Sequence, residues 1–572
     1  VTPQRRRRPA DPRAAAGPRW SPEVPSTRWA ALPAAADRVV LDERTAVPVH
    51  PTVRAPDRLL VSTLRDPEAA VALLQEAADD LGWVVERDPD GARTSFTEDE
   101  RRTRERAERL PWATGPLGLV VLVVRAGPQA LLPPDAWALL QRARRRARSP
   151  LDLVGVGLDH AVLLTGRLSS SPFHQSNPFH QSNPFHQSNP FHQSNPFHQS
   201  NPFLGEGTAT SAYALPGSGG LQPVAWAGVR PSRDPSPDRP RTAVGVLDTG
   251  CGPHPWFDEA PVPVVERAVT VDGRPVGLDD PLADPEVHPD QTGPLDGVRD
   301  PLSGHGTFIA GLVHAAAPDA QVLAWRVVGS DGAIAESDLV AALDSLAELV
   351  TREADAPGTG RALDVLNLSL GYYHETPVDA LLDPTLYEYL AAIGRTGTVV
   401  VCSAGNDATA RPLFPAAFGP WSTGAPPVVV DPQAAPLLAV GALNPDGTDA
   451  LFSNAGPWVG TWAPGAALVS TLPTGFDGGW GALAATTAGG RRRSTVDPDA
   501  FGGGFAVWSG TSFAAPVVAG RIAAVLDERL RAEGPAPDSA ARVQRARAAV
   551  ERVLARGEAA RRVLLAARAP GG

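Results

Sequence analysis

The sequence predicts an α/β protein of more than one folded unit, and three observations carry that prediction. Residues 58–168 alternate strand-like and helix-like runs twice over. From Thr242 onward, short apolar runs end in glycine and polar residues, as the buried strands of an α/β sheet do. Two small-residue helical runs accompany them, one opening on GHGT and one on SGTS. At 572 residues the chain is also too long for one ordinary core.

Taken in order, residues 1–57 are rich in Pro, Arg and Ala without a sustained period, which predicts disorder. In 58–168, RLLVS reads as a strand, DPEAAVALLQEAADDLG as a helix and WVVER as a strand. After the charged EDERRTRERAERL, read as a solvated helix, come the strand LGLVVLVVR and the helix PPDAWALLQRARRRAR. LVGVG and HAVLLTG close the set, and the outline is a small split-βαβ (α+β) sandwich. Residues 169–240 read as a linker. Its first part repeats PFHQSN with a period of six, and proline in every unit forbids a helix. His174, His180, His186, His192 and His198 invite a metal reading. Six residues of polyproline II advance about 19 Å, so neighbouring imidazoles cannot share an ion without folding back, and a spacer is the expectation. Residues 204–240 end in RPSRDPSPDRPR and mark a boundary before a unit at 241–530. The Arg-rich amphipathic run in 531–572 predicts a helix that covers that unit.

Bulk properties exclude several classes. A net charge of −11 argues against a nucleic-acid binder. Cys251 and Cys402 cannot form a disulfide framework and read as small core residues. No run approaches the roughly 18 apolar residues of a membrane helix, and GLVVLVV at 118–124 is strand-length. No apolar run follows Arg5–Arg8, so the sequence as written shows no export signal and predicts a cytoplasmic protein. Secretion would follow from a misassigned start at Val1.

The chemistry concentrates in the later half. In VWSGTSFAAPVVAG, Ser512 stands where a helix begins, and Ser is favoured there as a cap. The same place offers free N–H groups and the positive end of the dipole to an oxyanion. Asp248 ends the apolar run TAVGVLD, where α/β sheets place their sites, although an Asp that caps a turn would look the same. His305 stands between two glycines that let other groups approach its ring. ALDVLNLSLG and GTVVVCSAGND read as further buried strands, and Asn406 alone could be a turn residue.

Together, DTG, GHGT, SAGN and SGTSFAAP occur in an order and in contexts that resemble the subtilisin-like serine proteases, peptidase family S8. The resemblance covers about 241–530 and implies an α/β catalytic domain with a mostly parallel sheet flanked by helices. It implies that Ser512 is the nucleophile, His305 the general base, Asp248 its orienting partner, and Asn406 an oxyanion donor. Ser369, Leu370 and Gly371 should form an edge that pairs with an extended protein or peptide substrate. Ser403, Ala404 and Gly405 should line the first specificity pocket, with room for a large apolar side chain. No cofactor is required and no metal ligand set is assigned. Calcium is left open by the Pro- and Asp-rich insertion at 278–300, which reads as a surface loop, a substrate rim or a calcium loop without EF-hand spacing. By the same resemblance, 58–168 is a prodomain-like module that inhibits within the chain, with processing expected in 169–240, and the molecule is expected to be a monomer. Two other readings are a silent peptide-binding module, which predicts loss of one of the four residues, and an interaction protein whose protease acts mainly on itself. None of the four is replaced.

Overall fold

The computed structural model describes residues 28–165 and 213–566, apart from breaks of up to five residues. The PFHQSN repeat and its histidines lie outside the described residues, as do residues 1–27. Two sheets organise the molecule.

The larger unit is built on a seven-stranded sheet. Its spatial order is Val265–Arg267, Gln321–Arg326, Ala243–Asp248, Val365–Leu368, Val399–Ser403, Leu437–Leu443 and Thr461–Pro464. Every neighbouring pair is parallel. Such a sheet is covered on both faces, which is why its strands read as unbroken apolar runs. Val244 and Val246 enter one core with the helices His305–Ala316 and Thr511–Glu533. Ala243 and Leu247 enter the other, with Glu336–Asp355 and Thr385–Arg395. Strand order reverses around Ala243–Asp248, so Asp248 ends at the switch point of the sheet, where α/β folds place their clefts. The helix Ser539–Ala566 lays Ala546, Ala549, Val550 and Val553 into the core against Thr511–Glu533.

The N-terminal module is an antiparallel sheet in the order Val156–Leu164, Thr52–Ser62, Gly118–Ala126, Trp83–Arg87. In chain order that is 4-1-3-2, the split-βαβ arrangement. The helices Pro67–Asp79 and Ala136–Arg146 cover one face, each started by an aspartate whose carboxylate accepts a backbone N–H, Asp66 from Glu68 and Asp135 from Ala138.

Three features go beyond the expectation. The strand Thr52–Ser62 begins inside the stretch expected to be irregular, and Ala30–Leu32 pairs with it. Pro56 and a register shift between Arg54 and Leu59 broke the alternation that would have announced it. LVGVG and HAVLLTG share one continuous strand, Val156–Leu164, with Gly157 inside it. Finally, the later part of the expected linker is packed on the larger unit. Arg233 donates to the carbonyls of Pro318 and Ala320, and Arg239 pairs with Asp527 at 2.6 Å.

Candidate active site

Asp248 is fully buried at its strand end and accepts at Oδ1 from His305 Nδ1 at 2.7 Å and from the Thr249 N–H at 2.8 Å. That contact turns Nδ1 to the carboxylate and leaves Nε2 as the nitrogen available for proton transfer. Gly306 is required beside it, because a Cβ there would meet the Gly250 carbonyl at 2.1 Å. His305 packs against Trp508 and Phe513, with ring centroids 5.6 Å and 5.1 Å away.

Ser512 follows Thr511 at the start of the helix Thr511–Glu533, whose cap residue is Gly510. The capping reading of Ser512 is therefore not realised: the cap residue is Gly510, which has no side chain to offer, and the Ser512 hydroxyl points to Thr165. Thr511 orients Asn406 instead, donating to its Oδ1 through N–H at 2.9 Å and through Oγ1 at 2.8 Å. With Oδ1 so occupied, the Asn406 Nδ2 donors face the cleft. Pro516 sits inside the helix and has no N–H to give the Ser512 carbonyl. The Ser369 hydroxyl fills that gap at 2.9 Å, which ties the Ser369–Gly371 edge to the helix start.

The cleft is occupied by the chain itself. Val156–Leu164 pairs antiparallel with Leu370–Gly371 on one side and with Ala333–Ala335 on the other. Leu164 N–H donates to the Gly332 carbonyl at 3.0 Å, and Thr165 N–H to the Ser369 carbonyl at 3.1 Å. Asn406 Nδ2 donates to the Thr165 carbonyl oxygen. The Thr165 hydroxyl lies 2.7 Å from Ser512 Oγ and 2.5 Å from Ser403 Oγ, and donates to the Ser369 carbonyl at 3.1 Å. Among the described residues His305 Nε2 has no hydrogen-bond partner, so the Ser512–His305 bond is not made with the strand in this pose. Of the residues expected to meet, the structure joins Asp248 to His305, Asn406 to Thr511 beside Ser512, and Ser369 to the Ser512 carbonyl. Around the expected pocket, a threonine side chain lies against the Ser403 hydroxyl, Ala404 is buried, and Gly405 N–H is bound to Thr511 Oγ1 at 3.0 Å.

Sequence reasoning missed Thr165, the second edge Ala333–Ala335, and Glu286. Glu286 lies in the 278–300 insertion but is fully buried. Its carboxylate accepts from the hydroxyls of Thr249 and Thr307 and from Gly306 N–H at 3.0 Å. Burial pushes its pKa up, against the pull of those two hydroxyls. Among the described residues, one group has ligand-type atoms all within 4.8 Å, the buried His160, His374 and Glu375, far in sequence from that insertion. Burial also pushes the Cys251 thiol up to about 12, so it packs as an inert core residue.

Comparison with known proteins places the chain. The subtilase family (Peptidase_S8) matches residues 240–551, more than half of the chain, and the chain belongs to that family. An intracellular serine protease of Paenibacillus polymyxa is 26% identical over 49% of this chain and 65% of its own. A thermophilic serine proteinase of Bacillus sp. (strain AK1) is 29% identical over 42% of this chain and 49% of its own. Mycosin-4 of Mycobacterium tuberculosis is 30% identical over 40% and 49%. The chain thus spans about half to two thirds of the length of these relatives. Among the described residues, no helix is long and apolar enough to cross a membrane.

Proposed function

We propose that the chain is a serine endopeptidase that first cuts itself after Thr165 and is then restrained by the strand it has cut. The observation that carries this reading is the Asn406 amide donating to the Thr165 carbonyl oxygen while Ser512 Oγ stands 2.7 Å from the same residue's hydroxyl. Ser512 Oγ attacks the Thr165 carbonyl carbon, and its proton passes to His305 Nε2. Asp248 holds the ring and stabilises the imidazolium. Charge builds on the Thr165 oxygen, where Asn406 Nδ2 donates. As the Thr165–Gly166 bond breaks, His305 returns the proton to the leaving amine, and water later releases the acyl group by the same route. The cleaved bond therefore precedes the 169–240 stretch in which processing was expected. Family membership and the named relatives support the reaction class.

The test is to express the full-length chain beside Ser512→Ala and to sequence the amino termini. The wild type should yield a second terminus at Gly166 and, once the cut module has been released, take up a serine-directed fluorophosphonate. Ser512→Ala should do neither. A wild type that stays intact and unlabelled would overturn the reading.

A further inference from the structure

The pairing of the docked strand extends past the residues that touch Ser512. Counting back from the proposed bond, Thr165 is first and His160 is sixth. Ala335 pairs with Ala161, so Glu336, the next residue, stands across from His160. His160 is buried, with Nδ1 2.6 Å from Glu336 Oε2 and Nε2 2.8 Å from Glu375 Oε2. Tyr372 stacks on the ring at a centroid distance of 4.7 Å and donates to Glu336 Oε1 at 2.6 Å. Glu375 Oε1 is buried with no partner among the described residues. His374 takes no part as a base, because its Nδ1 accepts the Thr376 N–H at 3.0 Å. An imidazole with a carboxylate oxygen at each nitrogen carries both protons. Burial alone would lower its pKa, but Glu336 and Glu375 outweigh that and push it up to about 10.

Removing His160 would leave two buried carboxylates facing each other, a costly state unless another cation enters. We infer that Glu336 and Glu375, roofed by Tyr372, form an acidic subsite that takes a cationic side chain six residues before the cleaved bond. The inference rests on the hydrolase reading above. His160 is the first occupant, and a substrate strand entering the same edges brings its own sixth residue to the same place. Arginine suits the subsite best, since its five donors can also reach the unpartnered Glu375 Oε1. Cation recognition here is separate from the Thr165 pocket and adds a distant requirement to an otherwise apolar Val162–Leu163–Leu164 register.

The processed protein, its cut N-terminal module released at pH 10.5 and the remaining fragment returned to pH 8, is given peptides of the form X-Ala-Val-Leu-Leu-Thr with a chromogenic amide leaving group, X being Arg, His, Ala or Glu. Arg should exceed Ala by about tenfold or more in kcat/KM, as expected for a buried charge-assisted hydrogen bond, with Glu below Ala. In Glu375→Gln the Arg-to-Ala ratio should fall toward one. Equal rates for Arg, Ala and Glu in the wild type overturn the subsite and leave the hydrolase reading standing. No hydrolysis of any peptide, with no fluorophosphonate labelling, overturns the hydrolase reading and the subsite together. A second measurement needs no turnover: in the uncleavable Ser512→Ala chain, His160→Glu should strip amide-exchange protection from Val156–Leu164, whereas His160→Arg should keep it. Full protection in His160→Glu would also overturn the subsite.

Discussion

Ser512 is held by the residue it is proposed to cut. Its hydroxyl is shared with Thr165 Oγ1 at 2.7 Å and the Ser369 carbonyl at 3.4 Å, while His305 Nε2 has no partner among the described residues. Thr165→Val keeps the shape of the side chain and removes the hydroxyl that holds the nucleophile. Freed of one hydrogen bond worth about 1 kcal/mol, Ser512 should turn to His305, and the terminus at Gly166 should appear about fivefold faster in a time course. A slower or unchanged appearance would mean that the threonine hydroxyl helps the reaction. At this scale Asp248, His305, Asn406 and Ser512 were legible because each sits in a short motif with a fixed local job. Glu286 was not. It is one acid among several in a Pro- and Asp-rich insertion, and only its contacts with Thr249, Thr307 and Gly306 distinguish it.

The helix Glu336–Asp355 shows how elements of the two units depend on each other. Its own cap residue is Ala335, which offers no side-chain bond, and the carboxylate of Asp159 from the docked strand accepts Ser337 N–H at 3.1 Å and the Ser337 hydroxyl at 2.9 Å. Burial pushes Asp159 up to about 6 from 3.8, so its contribution to docking is full below pH 3.8 and is lost by about pH 6. His160 rises from 6.5 to about 10, so its contribution is full below pH 6.5 and is lost as pH climbs to about 10. Glu375 runs the other way. Burial opposes its ionisation, but His374, His160 and Arg144 pull it below 4.5, and its contribution is lost only in acid. The remaining groups around His160 do not reverse this: burial lowers the His374 pKa to about 4, so it is charged only in acid, and burial pushes the Tyr372 hydroxyl up. Arg54 pairs with His160 on the neighbouring strand but is turned to Asp135 at 2.5 Å, and Asp383, pushed up to about 7 mainly by burial, adds negative charge as pH rises. In the Ser512→Ala chain, the urea concentration that removes exchange protection from Val156–Leu164 should therefore fall steadily from pH 6.5 to pH 10. A midpoint that rises over that interval would contradict the charge assignment of His160. The helices and long strands here were legible from period and caps. The trans cap was not, because Asp159 and Ser337 lie 178 positions apart.

At the scale of the whole molecule, the sequence separated two units but could not say that they share a sheet. Ser369–Gly371 was expected as an edge for substrate, but Ala333–Ala335 is too short and too buried to announce the second edge, and the strand that joins them, Val156–Leu164, reads as an ordinary member of its own module. The shared sheet has a consequence for what processing can do. Cutting at Thr165 breaks one covalent link but none of the contacts N-terminal to it. Strand pairing on both edges remains, as do the Ser62–Thr385 hydroxyl pair at 2.7 Å, the half-buried Arg109–Glu388 bridge at 3.1 Å, and the His160 clasp. Cleavage and release are therefore separate events, and the cut protein should remain restrained until the module leaves. Size-exclusion chromatography of the processed wild type should show both fragments eluting together at pH 6. At pH 10.5, with His160 neutral and Glu336 and Glu375 facing each other uncompensated, the same sample should separate. Peptidase activity at pH 8, assayed immediately after each run, should then be higher in the separated catalytic fraction than in the joint peak. Fragments that part at pH 6, or a joint peak as active as the separated fraction, would show that the shared sheet does not restrain the site.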